Sequence, residues 1–156
     1  LHFYEHDMRD LFAIEQFDFV LNLFTSFGYF DSQEENQQAI TNAAKALKKG
    51  GKLVLDFLNP YKVIHSLVPE EIKVKGEVEF HITKQLDDKG YIIKSIQFED
   101  KGRHFQFHEK VKAIRRKEFL SYFNEAGLEV TDIYGDYELS DYDCDHSERM
   151  IFITTK

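Results

Sequence analysis

The densest group of chemically useful residues is Thr25-Ser26-Phe27-Gly28-Tyr29: three hydroxyls, two rings and a glycine directly after an apolar run. That run contains Phe17, Phe19, Val20, Leu21 and Leu23, and its aromatic and branched residues predict a buried strand over about Asp18 to Phe24. In an open α/β sheet, ligands bind just outside the carboxyl ends of the strands. The residues after the run are therefore a candidate binding rim. Gly28 suits a positive φ or a close approach of backbone to ligand. For Phe27 and Phe30, core packing and a place facing the site stand as equal alternatives. A second strand, Lys52 to Leu58, ends in Asn59-Pro60-Tyr61 and is expected to deliver Tyr61 to the same rim.

The elements that must position these residues follow from the pattern. Leu1 to His6 reads as a short strand with Asp7 at its carboxyl end, followed by a turn over Met8-Arg9-Asp10-Leu11. Ser32 and Glu35 fit a capping box, in which serine and glutamate satisfy free amides at a helix start. Ile40, Ala43, Ala44 and Leu47 put one apolar stripe of that helix on a sheet. Lys48 and Lys49 suit its negative end, and Gly50-Gly51 is expected to stop it. Strand, helix and strand in this order predict a right-handed βαβ unit.

From about Ile72 the period changes to two. Val78, Phe80 and Ile82, then Ile92, Ile96 and Phe98, then Phe105, Phe107 and Val111 alternate with polar residues, with Asp-Lys-Gly turns between them. This predicts a three-stranded antiparallel meander over residues 72–115, inserted at one end of the main sheet. Phe119, Leu120, Phe123 and Ala126 mark a short helix ended by Gly127. Leu128 to Gly135 and Met150 to Thr155 are expected to form a closing antiparallel pair. The pattern predicts the α/β class, with a parallel βαβ unit, an antiparallel final pair and the inserted meander.

The 156 residues suit a single domain. A net charge of −8 argues against a nucleic-acid partner. The one basic cluster, Lys110, Lys112, Arg115, Arg116 and Lys117, reads as a solvated strand edge and helix start. The single Cys144 excludes an internal disulfide framework and fits a reducing cytoplasm. No apolar run approaches the roughly 20 residues of a membrane span, and no signal-peptide pattern opens the sequence. Leu1 is not an initiator methionine, so a longer polypeptide is expected.

Asp7-Met8-Arg9-Asp10-Leu11, then Phe17-Asp18-Phe19-Val20, then Leu47-Lys48-Lys49-Gly50-Gly51-Lys52-Leu53-Val54 occur in an order that resembles the later half of a class I S-adenosylmethionine-dependent methyltransferase. Phe-Thr-Ser-Phe-Gly-Tyr-Phe after the second element adds to the resemblance, which covers essentially the whole chain. It implies S-adenosylmethionine as cofactor, a partial Rossmann-like sheet, mostly parallel with a reversed last strand, and a small-molecule acceptor beneath the inserted meander. The family's glycine-rich loop is missing: no Gly-x-Gly occurs in the sequence, and the loop is expected upstream of Leu1. These 156 residues alone are therefore expected to be inactive.

The resemblance also assigns residues. Asp7 would accept from the adenine amino group while the Met8 amide reaches a ring nitrogen; the alternative for Asp7 is a cap on the following turn. Leu23, Phe24 and Thr25 would lie along the methionine part of the cofactor. Ser26, Phe27, Tyr29 and Tyr61 would face the substrate. Transfer is an in-line displacement in which the protein chiefly aligns and dries the reactants. A base is needed only for an acceptor that must lose a proton early, and Tyr29, Tyr61, His65 and His108 are its candidates.

No metal site is expected. Asp141-x-Asp143-x-Asp145 lacks the glycine and final glutamate of a calcium loop, with His146 and Phe152 in their places. His104 and His108 lie about 13 Å apart along one strand. Asn59-Pro60-Tyr61 follows the wrong strand to match the nucleic-acid amino-methyltransferases. A non-catalytic module, dimerising through the apolar face of the meander, and a protein methyltransferase remain the other readings.

Overall fold

The computed structural model describes residues 2–156. They form two compact units, one of the residues up to Lys62 together with Ile114–Lys156, and one of Val63–Ala113.

In the first unit, β1 (Phe17–Asn22) leads through a loop to α1 (Gln33–Ala46) and back along β2 (Leu47–Leu58). The capping box forms as expected: Glu35 N donates to Ser32 Oγ at 3.1 Å and Ser32 N to Glu35 Oε2 at 3.2 Å. Such a cap contributes about 1 kcal/mol. Ala39, Ile40, Ala44 and Ala46 are the buried apolar residues of the helix. Its end departs from expectation. Leu47 is already extended, so Lys48, Lys49 and both glycines lie on β2 rather than on the last helical turn or a stop. Gly51 serves the sheet instead, because a Cβ there would lie 2.9 Å from Lys48 O and 3.1 Å from Phe17 O, beside the bulge where β1 meets β2.

After α2 (Pro60–His65), the second unit carries β3 (Glu70–Lys75), β4 (Val78–Leu86), β5 (Tyr91–Asp100) and β6 (Arg103–Lys112), each antiparallel to the next in chain order. There are four strands here, where the sequence predicts three. β3 escapes the apolar pattern because Glu71, Lys73 and Lys75 pair opposite Ile82, Phe80 and Val78, on the face of the apolar row. Its own Ile72 and Val74 point the other way and are exposed. Glu71 binds Lys84 and Lys73, which suits a charged edge strand. Phe98 packs on Phe80, Phe105 and Phe107 at centroid distances of 4.8, 5.0 and 6.0 Å.

The chain re-enters the first unit at α3 (Arg116–Glu125), then β7 (Glu129–Tyr134) and β8 (Arg149–Thr155). The sheet order is β1-β2-β8-β7. β1 is parallel to β2, while β8 is antiparallel to both its neighbours. Three strands thus share one direction and β8 is reversed, but only one pairing is parallel. The sheet is mixed, not mostly parallel by pairing. Under it, Phe119 gathers Phe57, Phe152 and Phe27 at 5.1, 5.1 and 5.8 Å.

Two expectations fail at the start of the chain. Residues 2–7 form no strand, and Leu1 lies outside the described residues. β1 is the edge strand of the sheet, residues 2–7 do not pair with its free side, and Phe3 and Tyr4 stand exposed. For the same reason β1 is not buried: Phe19 is 61 % and Leu21 59 % exposed. The strand also ends at Asn22, before Phe24. Among the described residues no helix is long and apolar enough to cross a membrane, and no group of three metal-ligating side chains converges.

Candidate functional site

At the carboxyl end of β1 the chain reverses through two consecutive left-handed residues, Phe24 (φ 59°) and Thr25 (φ 56°). Neither is glycine, and such a conformation costs about 1–3 kcal/mol per residue. A buried carboxylate holds the turn. Asp56, 1 % exposed and near the carboxyl end of β2, accepts from Phe24 N at 2.7 Å through Oδ2, and its carbonyl accepts from Thr25 N at 3.2 Å. Arg149, at the start of β8, donates from Nε to Asp56 Oδ1 at 2.7 Å and from Nη2 to Thr25 Oγ1 at 2.9 Å. The Tyr137 hydroxyl donates to Asp56 Oδ2 at 3.0 Å. Desolvation, and after it that bond, push the Tyr137 hydroxyl above its ordinary range.

The turn therefore displays rings. Phe24 is 76 % exposed and meets Tyr137 edge to face at 6.4 Å. The Arg149 guanidinium lies 5.7 Å from the Tyr137 centroid. Gly28 adopts φ 86°, as its place after the rim suggested.

A second group sits where the segment before β1 crosses α1. Asp7 Oδ1 accepts from Arg9 N at 2.9 Å and from Arg9 Nε at 3.1 Å, while Oδ2 takes Arg9 Nη2 at 2.7 Å. Arg9 reaches on to Glu35, and its carbonyl accepts from Gln38 Nε2 and Asn42 Nδ2 at 2.6 and 2.8 Å. The local role of Asp7 is thus a cap on the following turn, and it does not stand at a strand end. Oδ2 also accepts from Arg9 Nε at 3.3 Å, so both carboxylate oxygens are engaged by Arg9.

Asn22 joins this group to the rim: its Nδ2 donates to Met8 Sδ at 3.3 Å, and its Oδ1 accepts from Ser26 Oγ at 3.1 Å. Beside them is an apolar cavity of about 230 Å³ lined by Met8, Val20, Asn22, Ile40 and Leu55. Met8, Leu23, Phe24, Thr25 and Ser26 are thereby linked through one strand end.

Hydrogen bonding to Arg9 holds the Asp7 carboxyl at about 2, well below the ordinary carboxylate value. For a depressed carboxylate, the contact is intact above the unfolded value near 4. It is lost as pH falls through the folded value. The Asp7 carboxyl carbon is expected to titrate near pH 2 by NMR; a midpoint near 4 would show that the Arg9 contact does not form.

Two assignments change. Phe27 is 2 % exposed, with its ring against Phe30 and Phe119, so core packing prevails over a substrate-facing role. Tyr61 does not join Ser26. It packs under Arg115 and lines a separate depression with Arg116, Lys117, Leu120, Tyr142 and Cys144. His65 and His108 belong to the Val63–Ala113 unit. Tyr29 is exposed. Pattern reading missed Asp56, Arg149, Tyr137, Asn22 and Arg9. The available signal was Asp56 itself, a lone acid inside Leu53-Val54-Leu55-Asp56-Phe57.

A mixed sheet with helices and a polar and aromatic cluster at the carboxyl ends of two adjacent parallel strands places the chain among α/β folds. Comparison with solved structures gives the particular fold. A S-adenosylmethionine-dependent methyltransferase from Clostridium acetobutylicum superposes with a TM-score of 0.83 at 19 % identity, covering 96 % of this chain and 62 % of its own. The CcbJ methyltransferase of Streptomyces caelestis gives 0.81 at 18 % identity, with 96 % and 61 % covered. CalS10, an amino pentose methyltransferase of Micromonospora echinaspora with S-adenosylmethionine bound, gives 0.69 at 20 % identity, with 96 % and 62 % covered. No protein-family model and no curated protein sequence matches the chain. The chain has the class I S-adenosylmethionine-dependent methyltransferase fold, and it spans about three fifths of the length of these structures.

Proposed function

We propose that the full-length protein transfers a methyl group from S-adenosylmethionine to nitrogen or oxygen of a small-molecule acceptor. The observation that carries this reading is the strained Phe24–Thr25 turn, built at the strand end where this fold class binds ligands and held by a buried ion pair. The fold likeness supports the cofactor, and the likeness to an amino pentose methyltransferase supports a small acceptor. The formal charge of −8 supports an acceptor other than nucleic acid. The single exposed Cys144, with no disulfide partner, supports a reducing cytoplasm.

When bound, the cofactor supplies the electrophilic methyl. The chain's own residues then align and enclose. Asp7 and the Met8 backbone hold the purine end, Leu23, Phe24 and Thr25 the amino-acid end, and Ser26 and Tyr29 meet the acceptor. No side chain need form a covalent bond, and a near-attack alignment accounts for most of the acceleration. Catalytic competence belongs to the full-length protein rather than to these 156 residues alone, because they contain no Gly-x-Gly. Titration of the full-length protein with S-adenosylhomocysteine tests the reading.

A second reading, a dimerising module, is favoured by Phe107, which stands 53 % exposed beside Phe98 in the four-stranded sheet. On this reading Phe107→Glu converts a dimer to a monomer in sedimentation velocity; a wild-type protein that already sediments as a monomer removes it.

A further inference from the structure

The sheet end shows an arrangement that the turn alone does not require. Two large rings, Phe24 and Tyr137, are held at the protein surface by one buried carboxylate: Asp56 Oδ2 takes the Phe24 amide at 2.7 Å and the Tyr137 hydroxyl at 3.0 Å. Rings exposed to this degree are ordinarily free to move. Here the backbone of one and the hydroxyl of the other are tied to the same oxygen, and that oxygen belongs to a carboxylate neutralised by Arg149 at 2.7 Å. The rings meet edge to face, so the face of one ring stands beside the edge of the other. Ring faces carry negative electrostatic potential and attract cations, including onium groups. Arg149 sits at the Tyr137 ring, but its charge is balanced by Asp56.

We propose that Phe24 and Tyr137 form an aromatic surface for the positively charged sulfur of the cofactor, with Asp56 and Arg149 as the positioning pair that fixes both rings. Tyr137 thereby becomes a ligand-contacting residue contributed by the loop between β7 and β8. The inference rests on the methyltransferase reading. It goes beyond that reading in specifying that the site distinguishes the sulfonium of S-adenosylmethionine from the neutral thioether of S-adenosylhomocysteine through these two rings.

The test is calorimetric titration of the full-length protein with both compounds, for wild type, Phe24→Leu, Tyr137→Leu and Tyr137→Phe. Each leucine variant is expected to lose more affinity for the sulfonium than for the thioether. The ratio of the two dissociation constants should shift by about 2- to 5-fold, the size of one exposed cation–π contact. Tyr137→Phe keeps the ring but releases its tie to Asp56, and its ratio should fall between those of wild type and Tyr137→Leu. A general loosening of the site would weaken both ligands alike and leave the ratio at its wild-type value, and that result overturns the proposal while the methyltransferase reading stands. A wild-type protein that binds neither compound overturns both. All three substitutions fall on rings more than half exposed, so folding is not at stake.

Discussion

Arg149→Met is expected to destabilise the protein by about 3–5 kcal/mol, because it leaves the buried Asp56 carboxylate without its counter-charge. Asp56 is 1 % exposed, and Arg149 supplies both its ion pair and the bond to Thr25 Oγ1. The loss should appear as a lower midpoint in urea unfolding with an unchanged slope. Asp56→Asn combined with Arg149→Met should recover part of it, since removing both charges leaves no uncompensated ion. If the double variant is as unstable as the single, the cost lies in lost packing by the arginine stem and the electrostatic account fails. The pair matters for more than stability. It fixes two left-handed residues at the strand end, so loosening it also releases the candidate site.

Phe119→Ala should cost a similar amount for a different reason. Phe119 is fully buried and its ring touches those of Phe27, Phe57, Tyr122, Phe123 and Phe152. Truncating such a residue to alanine typically costs about 3–5 kcal/mol, the transfer term plus the cavity left behind. Phe119→Leu should cost clearly less. Urea unfolding monitored by far-ultraviolet circular dichroism distinguishes the two; equal losses would mean that the surrounding rings do not close around the site as described. Because Phe27 leans on Phe119, the same variant should disturb the loop that carries Ser26 and Tyr29.

Much of the architecture was legible because it depends on local signals. Ser32 and Glu35 announce the helix start through residue types at fixed spacing, and Gly127 marks the end of α3 with φ 72°. The reversed β8 follows from the short link after β7. What was not legible depends on partners distant in sequence. Whether Phe19 and Leu21 are buried is decided by what lies beside β1, not by their own apolarity. Strand β3 was missed because its charged residues share the face of the phenylalanine row, reversing the usual sense of alternation. At the candidate site, Thr25 and Ser26 stand out by composition after an apolar run, whereas Leu23 and Phe24 come only from the family resemblance. Arg149, 124 residues away from Thr25, was not legible. Phe27 shows the limit in the other direction: its position in the motif suggested a ligand contact, and the aromatic core claims it.

The central claim is that the strand-end cluster is part of a cofactor site. Its most direct test is isothermal titration of the full-length protein with S-adenosylhomocysteine, with Asp7→Ala as the companion variant. The account predicts saturable binding at one site per chain, weakened in the variant because the acceptor assigned to the adenine amino group and the tie between residues 7–9 are removed together. Absence of binding at millimolar ligand would contradict the account.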